Sequence, residues 1–250
     1  MAQSLSKNQI KLITSLKQKK YRLLHGFFVV EGIKTINELL SSNMQLLTLY
    51  TTETFNNDAY TNSYRDEIII SETDLKRISF LTTPNKALAI FKIPISKPID
   101  TNGLIVVLDD IRDPGNLGTI IRLCDWFGVK DLVCSNETVD CFNPKVIQAT
   151  MGSITRVNIS YLDLSSFLKD TNIPIFGTFM DGENIYEKNL PKNGILVFGN
   201  EANGISKEIE VLVKERLAIP RFGDTQATES LNVATATAIL LSEFRRNEVG

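Results

Sequence analysis

The chain has one histidine, His25, and three cysteines, Cys124, Cys134 and Cys141, in 250 residues. A single histidine excludes a histidine metal triad and an HExxH zinc site, since both need several imidazoles at fixed spacing. It leaves only His25 for a Ser-His-Asp triad, and no GxSxG nucleophile elbow accompanies it. His25 lies in a basic, polar stretch and reads as a surface or structural residue. The cysteines form no CxxC pair and are odd in number, which argues against a disulfide framework or a cysteine zinc site and suits a reducing cytoplasm. No metal is expected. No apolar run approaches the ~20 residues that span a bilayer, and Met-Ala-Gln-Ser-Leu-Ser-Lys lacks the apolar stretch of a signal peptide. A membrane partner is therefore not expected. Acid is also missing locally: residues 1–22 carry Lys7, Lys11, Lys17, Lys19, Lys20 and Arg22 without one Asp or Glu.

What is present is an ordinary globular composition, 43% hydrophobic and 22% charged, at a length that suits one or two domains. The net charge of −2 hides an asymmetry. Residues 1–98 hold 13 basic and 8 acidic side chains, whereas residues 99–250 hold 14 and 21. A basic module joined to an acidic one points to a polyanion for the first, with Lys17, Lys19, Lys20 and Arg22 as contacts. A solvated helix face is the plainer alternative.

Apolar residues at Ile10, Ile13, Leu16 and Leu23 predict one basic helix over 6–24. Phe27–Val30 reads as a strand and Ile33–Leu40 as a helix. Leu46–Tyr50, Ile68–Ile70 and Ala87–Ile93 read as strands, and Ser71 opens a further helix. Residues 1–93 thus form a small α/β domain. Residues 94–103, with Pro94, Pro98 and Gly103, form the linker. From 104 to 250 strands and helices alternate, and the strands are apolar without alternation. That pattern predicts a mostly parallel sheet covered on both faces.

Ligand sites in such sheets gather beyond the carboxyl ends of the strands, and three polar turns fall there. The first, Asp113-Pro114-Gly115-Asn116-Leu117-Gly118, carries Asn116, with Arg122 six residues later on the following helix. It is not GxGxxG, and no acid follows at the distance a dinucleotide site needs, which argues against a Rossmann-type enzyme. Asn116 as a helix N-cap is the structural alternative. The second, Phe198-Gly199-Asn200-Glu201-Ala202-Asn203-Gly204-Ile205, sets Glu201 at the mouth of a turn, where its charge would also favour a helix N-terminus. The third runs from Ile219-Pro220 to Glu229-Ser230-Leu231-Asn232-Val233, where Ser230 or Asn232 would cap the last helix.

Taken together, these turns resemble the SpoU (TrmH-type) family of RNA ribose 2′-O-methyltransferases, in the SPOUT superfamily. Asn116-x-Gly118-x-x-x-Arg122 looks like the first family motif, Gly199-x-Glu201-x-x-Gly204 the second and Ser230-Leu231-Asn232-Val233 the third. The match covers residues 104–246. Residues 1–93, with Phe28-Val29-Val30-Glu31-Gly32, are similar to the small substrate-binding domain found ahead of the catalytic domain in many members. The resemblance implies a parallel α/β sheet with a deep trefoil knot, S-adenosylmethionine in the knot loops, a homodimer and an RNA substrate. Bottom-up rules alone would reject a knot.

The resemblance also implies site residues. The backbone around Thr178, Gly199, Asn200, Glu201, Ile219, Pro220 and Leu231 would hold the cofactor. Asn116, Arg122, Glu201, Ser230 and Asn232 would form the catalytic set, with Arg122 also meeting RNA. The segment Arg221–Glu229 is longer by a few residues than the family usually has. An arginine pKa above 12 makes Arg122 a strained general base. A bidentate clamp on the neighbouring phosphate is gentler chemistry and would place the ribose. A protein of the same fold that binds without turnover is the competing class. An N-terminal module ahead of the catalytic domain favours ribosomal over transfer RNA.

Overall fold

The computed structural model describes residues 2–53, 67–223 and 230–246. The chain divides into two compact units, Met1–Ile95 with Asp140–Thr155, and Ser96–Val139 with Arg156–Gly250. Among the described residues, no helix is long and apolar enough to cross a membrane.

The first unit runs α1 (Lys7–Ser15), α2 (Lys19–His25), β1 (Phe27–Glu31), α3 (Ile33–Leu40), β2 (Leu46–Thr51), β3 (Glu67–Ile69), α4 (Glu72–Ile78) and β4 (Ala87–Lys92). Its sheet has the order β1-β4-β2-β3, antiparallel except for the β2–β3 pair. Ile13 and Leu16 bury their side chains against Val29, Ile78, Leu88 and Ile90. Ser6 and Gln9 close a reciprocal capping box at the start of α1.

The single helix expected over 6–24 is broken at Leu16–Gln18. Continuing it would give the Leu16 and Lys17 carbonyls to N–H groups four residues on. Instead Arg22 Nη1 donates to both, at 2.8 and 2.9 Å, and Gln18 turns extended to restart the chain as α2. Arg22 Nε donates to Asp140 Oδ2 at 2.8 Å, and the side chain is 2% exposed. Arg22 is therefore buried and engaged in structural bonds, not presented at the surface for RNA as its place in the basic stretch suggests, whereas Lys17, Lys19 and Lys20 are exposed. Asp140 stands 118 positions away, so no local pattern could reveal this pair. Phe142 follows it and packs on Phe28 at 4.7 Å between ring centroids.

The second unit begins with β5 (Leu104–Leu108), α5 (Pro114–Trp126) and β6 (Asp131–Cys134). The chain then gives α6 (Pro144–Thr150), which lies against β1 of the first unit. It continues as β7 (Asn158–Tyr161), α7 (Leu164–Lys169), β8 (Ile175–Asn184), β9 (Gly194–Phe198), α8 (Lys207–Glu210), β10 (Glu215–Ala218) and α9 (Val233–Arg245). All six strands are parallel, in the order β10-β8-β9-β5-β6-β7. The central pair, β5 and β9, is buried throughout, which is why these strands are apolar without alternation.

β8 is the longest strand of this sheet, with 10 residues. Its pairing with β10 jumps from Gly177 to Glu183, so residues 178–182 leave the ladder. A Cβ on Gly182 would stand 2.5 Å from the carbonyl carbon of Leu217, so only glycine allows that approach. From β5 the strand order runs to β6 and β7 on one side and to β9, β8 and β10 on the other. Such a switch point opens a crevice at the carboxyl ends of the strands.

Two stability measurements follow. Asp140→Ala leaves a buried guanidinium without its carboxylate and should cost about 3–5 kcal/mol in urea unfolding. Glu31 accepts from Ser79 Oγ and Phe80 N, yet burial outweighs these bonds and raises its pKa above the ordinary glutamate range. A raised carboxyl pKa makes its stability contribution complete below the ordinary value and lost as pH rises through the folded value. Melting temperature against pH should therefore fall less steeply across that window in Glu31→Gln than in the parent.

Candidate active site

The exit from β5 is pinned on the side of β9. Asp109 N donates to Phe198 O at 2.9 Å, and Asp109 Oδ2 accepts from Ser206 N at 2.7 Å. Asn200 Nδ2 donates to the carbonyl of Asp110 at 2.7 Å. Asp113 then caps α5, its Oδ1 accepting from Asn116 N at 2.8 Å, and Pro114 occupies the first helical turn. The capping task considered for Asn116 thus falls to Asp113. The Asn116 side chain is left to point elsewhere.

It points into a chain of side-chain hydrogen bonds. Asn116 Nδ2 donates to Glu201 Oε1 at 2.6 Å, and Asn232 Nδ2 donates to Asn116 Oδ1 at 2.9 Å. Asn232 Oδ1 accepts from Ala234 N at 3.0 Å and Thr235 N at 3.2 Å, so Asn232 caps α9. That cap fixes the direction of the whole chain. The two helix N–H groups demand the oxygen of Asn232, so its nitrogen must face Asn116. Asn116 must then offer oxygen to Asn232 and nitrogen to Glu201. Among the described residues Glu201 Oε2 has no partner, so the exposed end of the chain is an acceptor.

The turn that carries Glu201 is itself closed. Asn200 and Gly204 exchange backbone hydrogen bonds at 3.0 and 2.8 Å. Asn200 Oδ1 accepts from Ala202 N and Asn203 N. A Cβ on Gly199 would lie 2.1 Å from the Gly204 carbonyl carbon, so the turn can close only over glycine.

The structure thus brings Asn116, Glu201 and Asn232 together from three distant parts of the sequence. Arg122 is not joined to them. It is exposed on α5 and, among the described residues, takes no hydrogen-bond or ion-pair partner. Thr178 is half-buried where β8 leaves the ladder, and Ile219 and Pro220 are half-buried just past β10. Ser230 is exposed, and Leu231 is 47% exposed for an apolar side chain. Residues 224–229 of the long segment Arg221–Glu229 lie outside the described residues. Sequence reasoning missed Asp109, Asp110 and Asp113. The Asp113-Pro114 pair was a readable N-cap signal, but the partners of the other two are non-local. Among the described residues no cluster of His, Cys, Asp and Glu could hold a metal ion.

The double duty of Asn232 makes a clean test. Asn232→Ala removes the cap as well as the donor to Asn116 and should cost about 1 kcal/mol in urea unfolding. Asn232→Asp keeps the acceptor over α9 and replaces the donor with a carboxylate oxygen that faces Asn116 Oδ1. It should unfold within about 0.5 kcal/mol of the parent.

A profile of the SpoU rRNA Methylase family matches residues 103–242, and one of the MRM3-like substrate binding domain matches residues 7–89. The chain is 28% identical to the 23S rRNA (guanosine(2553)-2′-O)-methyltransferase RlmP of Bacillus subtilis over 246 residues, covering 96% of this chain and 97% of that protein. A TrmH-family structure from Porphyromonas gingivalis shares 39% identity with a TM-score of 0.86, covering 98% of this chain and all of that one. An AdoMet-bound rRNA methyltransferase from Sinorhizobium meliloti shares 29% identity with a TM-score of 0.85, over 100% of this chain and 98% of that one. The profile match spans all three turns, whose side chains the structure joins by hydrogen bonds, and the chain belongs to the SpoU (TrmH-type) methyltransferase family.

Proposed function

We propose that this protein transfers a methyl group from S-adenosylmethionine to a ribose 2′-hydroxyl of RNA, with ribosomal RNA the favoured substrate. The observation that carries this reading is the directed chain Asn232–Asn116–Glu201 at the carboxyl ends of a parallel sheet, in a chain of the SpoU family. Similarity along nearly the whole chain to an enzyme named for 23S rRNA supports the substrate.

When bound, S-adenosylmethionine supplies a methyl on a sulfonium. The backbone of Gly199, Asn200 and Glu201, with Thr178, Ile219, Pro220 and Leu231, would hold it. Half-buried apolar groups beside a closed backbone turn suit a flat heterocycle and a short thioether chain. The sulfonium would supply an electrophilic carbon to the ribose oxygen and leave as the neutral thioether, and the hydroxyl proton would pass to a neighbouring phosphate or water. Alignment of the hydroxyl can supply ~7–11 kcal/mol of the barrier in favourable cases. Asn116 and Glu201 offer a donor and an acceptor to orient the ribose, and Ser230 and Asn232 shape the cofactor side. Arg122 clamps the adjacent phosphate, because a guanidinium stays protonated and presents a fork of donors.

Lys17, Lys19 and Lys20 supply the first unit with phosphate contacts. The protein acts in the cytoplasm as a homodimer with the family's trefoil knot. Support for the dimer comes from α5, where Trp126 is 84% exposed on the same helix as Arg122.

Two measurements test this. Mapping 2′-O-methyl groups in total RNA with and without the gene should show loss at one ribosomal position; loss at a transfer RNA position would move the substrate, and no loss would favour a binding protein. Arg122→Ala should lower kcat by 100-fold or more while S-adenosylmethionine binds within threefold of the parent by calorimetry. Near-normal turnover would remove Arg122 from the mechanism.

A further inference from the structure

The turn that delivers Asn116 is held on its other side by two hydroxyls. Asp110 has φ of 59°, a left-handed conformation that costs an L-residue free energy unless its surroundings hold it. Asp110 N donates to Ser135 Oγ at 3.0 Å, and Ile111 N donates to Thr138 Oγ1 at 3.2 Å. The two hydroxyl oxygens lie 3.2 Å apart, and Thr138 Oγ1 donates to the carbonyl of Leu108 at 3.3 Å. The protons then close into one consistent circuit. Thr138 gives its proton to Leu108, Ser135 gives its own to Thr138, and each oxygen accepts one N–H of the turn. Thr138 is 1% exposed and Ser135 5%, so water cannot replace either. Val139 N donates to Ile111 O at 2.9 Å and continues the clamp.

The Asp110 turn is therefore gripped from both flanks. The loop after β6 holds Asp110 N and Ile111 through Ser135, Thr138 and Val139. The loop after β9 holds Asp110 O through Asn200, within the same turn that carries Glu201. Ile111 is two residues before the Asp113 cap and five before Asn116. A turn that relaxed out of the left-handed region would carry the start of α5 with it, and the 2.6 Å bond from Asn116 to Glu201 would lengthen.

We propose that Thr138 and Ser135 are positioning residues for methyl transfer: their paired hydroxyls hold the Asp110 turn left-handed and so set Asn116 against Glu201. Both are buried and act through the turn that carries Asn116. The inference rests on the methyltransferase reading above for its effect on rate, but the effect on Asn116 is independent of that reading.

The experiment compares Thr138→Val, which keeps the shape and removes the hydroxyl, with Thr138→Ser, which keeps the hydroxyl. Turnover is read with labelled S-adenosylmethionine and total RNA from cells lacking the gene. The side-chain amide of Asn116 is read by NMR in the protein alone. Thr138→Val should lose tenfold or more in kcat, bind S-adenosylmethionine within threefold of the parent, and shift the Asn116 amide towards its solvent-exposed position. Thr138→Ser should restore both turnover and the amide signal. An unshifted Asn116 amide in Thr138→Val, unchanged kcat there, or a serine variant as impaired as the valine would overturn the proposal. If the parent enzyme transfers no methyl group at all, the methyltransferase reading fails, and the amide signal still decides whether the hydroxyls position Asn116.

Discussion

The capping of α9 by Asn232 is the contact on which the site depends. Two backbone N–H groups at a helix start hold one amide oxygen, and that choice propagates. It turns the Asn232 nitrogen towards Asn116, the Asn116 nitrogen towards Glu201, and a carboxylate oxygen outward. A helix terminus, which must satisfy its free donors in any fold, thereby orders side chains from three separate turns. The direction of this side-chain chain is thus tied to a structural obligation of the helix.

The sheet supplies the stage for this contact. β5 and β9 are central and wholly buried, so their carboxyl ends are among the least mobile points of the second unit. The first and second turns leave directly from these strands, at the switch point. Asp113 supports the arrangement from the sequence side. By taking the cap of α5 it leaves Asn116 free for the chain of amides. Glycine is required where backbones meet, as at Gly199 and Gly182.

Much of this was legible before any coordinates. β5 and β6 fall on the residues that their apolar runs mark, because a strand buried on both faces has no competing period. α3 falls on its apolar stripe for the equivalent helical reason. The association of Asn116, Glu201 and Asn232 was legible only through family resemblance, since residues 85 and 116 positions apart share no local signal. The break between α1 and α2 was hidden for the same cause: its origin is Arg22, and the carboxylate that buries Arg22 sits 118 positions away. α8 is a single turn, and Leu212 and Val213 beyond it pack onto the core without helical backbone. Arg122 was readable as a residue and not as a position: it stands apart from the amide chain that its motif suggests it should join.

The first unit is not a continuous stretch of sequence. Asp140–Thr155 completes it from within the crossover between β6 and β7, and the chain passes between units three times. A recombination event that cut once, near Ile95, would carry away Arg22 without Asp140 and Phe28 without Phe142. Modules joined at a single junction can be exchanged whole during evolution, as beads are restrung. This one is stitched in, and it changes by substitution in place, in step with the strands on either side of the stitch.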